Sequence, residues 1–275
     1  MARSELRMPS PNGVASGQTA TFKLPIGNRF HNLQLIYSGV TLAQMTEIRV
    51  YANGKVIHRL SGEERAKLNL FDGRTPTAGV LIIPFDRYNL RTLLGEEDTA
   101  LNTGSFDENG RGISSLYIEI DIDAGATAPE FKLHATVSAK KAGGAGRVLH
   151  TLKHVRDPAG AGEFDISDLP RGTATTQLLN RIVFAKNAGL GNVSAVKVER
   201  DQVTLFERSA ELNTAVQKMG VRDPQTGWFV IDRTENGAGG DPIVLAGASD
   251  YRYKLDMSDG ATLGIITETI GSIGD

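Results

Sequence analysis

Two stretches of this chain open alike. LPIGNRFHNLQLIYSGV at residues 24–40 and LPRGTATTQLLNRIVFA at 169–185 both begin Leu-Pro-x-Gly and run into apolar residues rich in β-formers. Leu24 and Leu169 stand 145 residues apart, about half the length of the chain. Downstream of the first, EIRVYANGKVIHRL reads as a hairpin around Asn53-Gly54, the pair best suited to a type I′ turn. Downstream of the second, AVKVERDQVTLFERS again has two β-rich arms, around a polar turn at Arg200-Asp201. Each hairpin ends in a serine that opens a helix. Ser61 with Glu64 three residues later is a capping box closed by Gly73, and Ser209 opens SAELNTAVQKMG, closed by Gly220. Val50 to Val198 and Ser61 to Ser209 are both offsets of 148. Strand, hairpin and capped helix recur at an offset that drifts by three residues, so one fold is used twice.

Between these marks strand signals dominate. Phe22, Leu24 and Ile26, then Leu33, Leu35 and Tyr37, recur at period two. In SSLYIEIDID, Leu116, Ile118, Ile120 and Ile122 face one way while Glu119, Asp121 and Asp123 face the other. GWFVIDR, YRYKLDM and LGIITETI supply strands late in the chain. Short strands with turn residues between them predict an all-β protein of two tandem eight-stranded jelly rolls, with a short helix inserted in each. The expected boundaries are an N-terminal arm at 1–17, a first jelly roll at 18–140, a linker at 141–162 and a second jelly roll at 163–275. The linker reading rests on composition: AKKAGGAGRVLHTLKHVRDPAGAGE is rich in Gly, Ala and basic residues.

At 275 residues a second domain is expected. A net charge of −2 gives no reason to expect a specific nucleic-acid partner. There are no cysteines, so disulfides and thiolate chemistry are excluded. Apolar runs such as VLIIPF at 80–85 are far too short to span a bilayer as a helix. The polar N-terminus has no apolar core of a secretory signal and is expected to be ordered only if something holds it.

Catalytic constellations are missing. His150 and His154 have the spacing of a helical metal pair, but no Glu follows the first. His31, His58 and His134 are scattered singly and are expected at strand surfaces or edges. AGGAGR lacks the ending of a phosphate loop, NGAGGDP lacks dinucleotide-loop spacing, and no G-x-S-x-G occurs. In DIDAG, Gly125 stands where a calcium loop needs an oxygen ligand, so the EF-hand reading fails. Asp121 and Asp123, two carboxylates on one face at a strand end, are the candidate pair for a hard cation; the alternative is a solvated strand face.

The block KLPIGNRFHNLQLIYSGVTLAQMTEIRVYANGKVI resembles the N-terminal region of the major capsid proteins of corticoviruses, marine bacteriophages with an internal membrane. There too a Leu-Pro-Ile-Gly strand start leads to Tyr-Ser-Gly-Val-Thr and a hairpin with an x-Gly turn. EIDIDAGATAP and DISDLPRG match two further blocks, and together the blocks cover about a third of the chain; the C-terminal TETIGSIGD and the Gly-rich loop at 236–240 depart from the family. The resemblance implies a double jelly-roll coat protein, the fold shared with tectivirus and adenovirus coat proteins, and no enzyme. It implies a homotrimer of pseudo-hexagonal outline that tiles an icosahedral shell over a membrane. Its partners would be further copies of itself, minor capsid and membrane proteins of the virion, and the internal membrane, with assembly in the bacterial host cytoplasm. It also implies calcium as a structural ion, for which Asp121 and Asp123 are the named ligands. The basic residues Arg3 and Arg7 of the arm, with Lys140, Lys141 and Arg147, are expected to face an acidic internal partner such as the membrane. The competing class is a soluble β-sandwich binding module for a receptor or carbohydrate. A glycan site would show clustered exposed aromatics, and a single Trp228 argues against one.

Overall fold

Alternation at period two becomes strand wherever one face can be buried. The computed structural model describes residues 3–171, 178–186, 193–239 and 241–273. They fall into two units, Met1–Leu152 with Ser272–Gly274 and Lys153–Gly271 with Asp275. The first unit holds β1 (Ser4–Arg7), β2 (Thr19–Leu24), β3 (Asn28–Ser38), β4 (Met45–Ala52), β5 (Lys55–Leu60), α1 (Gly62–Phe71), β6 (Val80–Pro84), α2 (Leu93–Glu97), β7 (Leu101–Asn102), β8 (Leu116–Ile122) and β9 (Glu130–Ala139). β10 (Val148–Arg156) runs across the division. The second unit holds β11 (Gly162–Ile166), β12 (Leu178–Lys186), β13 (Val193–Arg200), β14 (Val203–Ser209), α3 (Ala210–Met219), β15 (Trp228–Asp232), β16 (Ile243–Val244), β17 (Tyr251–Met257) and β18 (Leu263–Gly271).

In the first unit β3 pairs with β6, β7 and β9, while β8 pairs with β2 and β4, and β4 with β5. In the second, β12 pairs with β15, β16 and β18, while β17 pairs with β11 and β13, and β13 with β14. The two patterns are the same, strand for strand. Each unit is a two-sheet antiparallel sandwich around its own core, built on Phe22, Phe30, Leu33, Leu35, Val50 and Ile118 in the first and on Ile182, Phe184, Val196, Val198 and Leu255 in the second. The double jelly roll is therefore present, and Val50 and Val198 sit on equivalent strands.

The equivalence reaches single residues. At the β4–β5 turn Asn53 and Gly54 have φ of +53° and +77°, and at the β13–β14 turn Asp201 and Gln202 have +48° and +67°. The second turn therefore lies at Asp201-Gln202, one residue beyond the expected position. Both turns are held the same way. Asn53 Oδ1 accepts from the Ser114 and Ser115 amides, and Asp201 Oδ1 accepts from those of Ser249 and Asp250. Ser61 and Ser209 both cap their helices, the first in a full capping box with Glu64. Asn69 of α1 donates to Ile82 O at 2.8 Å, and Gln217 of α3, 148 residues on, donates to Val230 O at 2.7 Å.

Three segments differ from the sequence reading. The arm is not loose: β1 pairs antiparallel with β9, Ser4 opposite Val137 and Arg7 opposite His134, and Met8 beside it is buried. Within 141–162, the stretch read as a linker, β10 forms a nine-residue strand with Thr151 opposite His58 of β5. α2 is an extra short helix capped by Thr92. Of the second opening motif, Leu169 and Pro170 lie between β11 and β12, whereas in the first Leu24 ends β2 and Pro25 begins the connection to β3; residues 172–177 lie outside the described residues.

Candidate functional site

The two candidate ligands, Asp121 and Asp123, stand at the end of β8. Alternation turns Leu116, Ile118, Ile120 and Ile122 inward and leaves Glu119 and Asp121 on the outer face. Across β4, Arg49 meets both carboxylates: Nη1 is 2.6 Å from Asp121 Oδ2, Nη2 is 2.8 Å from Oδ1 and 3.2 Å from Glu119 Oε2. Arg49 also donates to Glu47, whose other oxygen accepts from Arg59 Nε at 2.6 Å, and Thr19 Oγ1 donates to Asp121 at 2.7 Å. The hydrogen bond from Arg49 holds the Asp121 carboxyl below the usual carboxylate range, although partial burial opposes it. The same bond raises Arg49.

Asp123 lies past the strand and is exposed; its Oδ1 accepts from the Gly125 amide at 2.7 Å, closing a turn. Both oxygens of Asp121 are engaged by a guanidinium, which a divalent cation would have to displace. The residues present therefore do not fit a calcium ion. Among the described residues no three His, Asp or Glu side chains converge to hold a metal.

The histidines are placed by long-range packing. His150 and His154 lie on strand β10, not on a helix, and have separate partners: Ser272 O at 3.2 Å and Thr267 Oγ1 at 3.3 Å. His31 and His58, expected at surfaces or edges, are both buried. Burial, then the positive charge of Arg65, pushes the His58 imidazole down to about 3, so it is neutral in the folded protein.

Two charge clusters, the first partly and the second fully buried, were not legible in the sequence. In the first unit Glu97 accepts from Arg3 and Arg29 at 3.0 Å each, and Asp86 lies 3.6 Å from both Arg3 and His31. Burial opposes ionisation of Glu97, but hydrogen bonding to Arg3 and the neighbouring positive charges keep its carboxyl low. This cluster fastens the arm. In the second unit Asp232, fully enclosed, accepts from Arg222 Nε at 2.7 Å and Arg181 Nη2 at 3.2 Å. Its other oxygen accepts from the Thr234 amide and hydroxyl at 2.8 and 2.6 Å. Arg181 also lies 3.7 Å from Glu268, which takes 2.6 Å from Asn180. Both clusters satisfy their charges internally and tie loops to sheets. Of the basic residues expected to face a membrane, Arg3 is paired with Glu97, Arg147 with Asp98 at 3.2 Å, and Lys140 donates to Gly104 O.

Comparison with known proteins follows the two units. Residues 5–138 match the family described as viral coat protein P2 N-terminal domain, and residues 148–273 match the viral coat protein P2 C-terminal domain. The chain is 30% identical over 175 residues to the major capsid protein P2 of Pseudoalteromonas phage PM2, a match that spans 62% of this chain and 61% of that protein. The crystal structure of the major capsid protein P2 from bacteriophage PM2 superposes with a TM-score of 0.88 at 24% identity, covering 98% of each chain. The STIV MCP follows with a TM-score of 0.68 at 12% identity, covering 98% of this chain and 97% of that one. These likenesses do not favour the β-sandwich binding module.

Proposed function

Because the chain belongs to the viral coat protein P2 family, as a corticovirus-type major capsid protein, we propose that its activity is assembly itself, with no substrate turned over. It works as a homotrimer of pseudo-hexagonal outline that tiles an icosahedral shell over an internal membrane. Its chief partners are other copies of itself in the lattice, joined by minor capsid and membrane proteins of the virion, and assembly takes place in the bacterial host cytoplasm. One observation carries the reading: the eight-strand pairing of the first unit, β1 and β10 apart, is repeated in the second. Three such chains around one axis present six similar lobes, and a closed ring of this kind ends growth at the trimer. A net charge of −2 keeps like-charge repulsion between neighbouring copies small.

Light scattering on the purified protein over a concentration series tests this. A species at three times 29.5 kDa is expected. A chain that stays at the monomer mass at high concentration, and assembles no further when other virion components are supplied, overturns the reading.

A further inference from the structure

Residues 148 positions apart are structurally equivalent from the hairpin to the end of the helix, so each position of the second unit has a control in the first. At one face the two disagree. Ile57 on β5 and Phe71 at the end of α1 are wholly buried, while their counterparts Leu205 on β14 and Met219 on α3 are 41% and 86% exposed. Val203, 61% exposed, stands where the first unit has Lys55, and Leu212, 52% exposed, stands where it has Glu64. Ala215, also exposed, replaces Lys67. Leu212, Ala215 and Met219 fall at i, i+3 and i+7, an apolar stripe along the outside of α3. The residues α3 buries are polar: Asn213 and Gln217, both bonded to Val230 O. The helix is thus held from inside by hydrogen bonds and turns its apolar side outward.

The strand beside it is equally uncovered. β5 has β4 on one side and β10 on the other, through Thr151 and His58. Among the described residues β14 pairs with β13 alone. The chain covers this edge of its first unit with its own β10, and no described residue pairs with the matching edge of the second. A strand edge with unpaired backbone groups and an apolar flank is recognised by another polypeptide.

We infer that the β14–α3 face of the second unit is covered by a second copy of this chain, and that Val203, Leu205, Leu212 and Met219 form the subunit contact that closes the trimer. This rests on the trimer reading above. Two features favour a copy over another partner. The face has a counterpart that the same chain already covers in its first unit, so the chain carries surface suited to this edge. The charges around the stripe, Glu211 and Lys218, are of both signs and select neither a polyanion nor a polycation.

The test grafts the first unit's own residues onto the second: Val203→Lys, Leu212→Glu and Ala215→Lys in one protein, with Leu212→Glu alone as a second variant. The equivalent scaffold already carries these side chains, so the fold is kept, as circular dichroism and Trp228 fluorescence report. Light scattering across a dilution series is expected to show the concentration for half-dissociation rising at least about 100-fold in the graft, since an apolar anchor at an interface centre commonly governs binding on this scale. If the triple variant does not fold, the single Leu212→Glu decides by the same readout, with a rise of about tenfold expected. A folded graft that keeps the wild-type trimer mass and midpoint overturns this inference and leaves the trimer standing. A wild-type chain that is monomeric throughout overturns both.

Discussion

Asp232→Asn is the sharpest test of what holds the second unit together. The substitution keeps the shape of the side chain and its acceptor for Thr234, but removes the negative charge between Arg181 and Arg222, both about as enclosed as Asp232 itself. With Asp232 ionised, its charge lies against both guanidiniums, and Glu268 lies 3.7 Å from Arg181; the change removes the carboxylate charge that Arg181 and Arg222 share. Removing the charge of one partner of a buried ion pair in this way costs about 3–5 kcal/mol. At a urea slope of about 2 kcal/mol/M, this moves the unfolding midpoint down by about 1.5–2.5 M. Trp228 is the one tryptophan of the chain and sits four residues before Asp232 on β15, so its fluorescence follows this unit. Protein concentration is held fixed, because association shifts such midpoints. Burial by itself opposes ionisation of Asp232, yet Arg181, Arg222 and Thr234 more than offset it and hold the carboxyl below the ordinary range. A depressed carboxylate contributes stability that is complete above its unfolded value of about 4 and is lost as pH falls through the folded value. The difference between wild type and variant is therefore expected to be full at pH 7 and to shrink in strong acid. A midpoint shift below about 0.3 M at pH 7 refutes the reasoning.

The two hairpin turns give a paired prediction. Gly54→Val places a β-branched residue at φ +77° and should cost about 1 kcal/mol or more, while Gln202→Gly relieves a side chain held at +67° and should stabilise by up to about 1 kcal/mol; thermal melts of both variants decide it. At the β8 end, Asp121→Asn weakens a partly exposed ion-pair group and should cost no more than about 1 kcal/mol. Chelator should leave the melting temperature of wild type and variant alike; a chelator-sensitive wild type beside an insensitive variant would restore the calcium assignment.

What the sequence made legible was local. Period-two alternation marked β2, β3 and β8, and the Ser61–Glu64 capping box marked α1, because both signals lie within a few residues. The second turn was displaced by one residue because no glycine marks it; Asp201 and Gln202 have positive φ, and Asp201 Oδ1 accepts from the amides of Ser249 and Asp250, almost 50 residues away. β10 was hidden by the Gly- and Lys-rich run before it and by a partner strand, β5, distant in sequence. The same distance concealed the fate of Asp121. Two carboxylates on one strand face look available until Arg49, 72 residues earlier, is laid beside them. His31 and His58 are single polar letters in strands, and only the opposing sheet decides that they are inside.

The features the two units have kept are as informative as the face where they differ. Each carries a register shift at the start of its hairpin, at Thr46 and at Ser194, whose hydroxyls donate to the carbonyls of the equivalent residues Asp121 and Asp256. A second pair of shifts follows at Val50/Tyr51 and Val198/Glu199, and a third at His31 and Asn180 on β3 and β12. A bulge adds one residue to one strand and so fixes which later side chains face inward; losing it would turn the rest of that strand inside out. The bulges are thus the part of the duplication that mutation cannot easily disperse. Outward-facing charges have no such constraint: Arg49 among three carboxylates became Lys197, paired with Glu199 that Lys254 also reaches. Fixed bulges keep the two lobes alike in shape, and free outer faces let them differ in what they touch. A ring of six similar lobes made from three chains requires that combination, because lobes of one shape must still distinguish their neighbours.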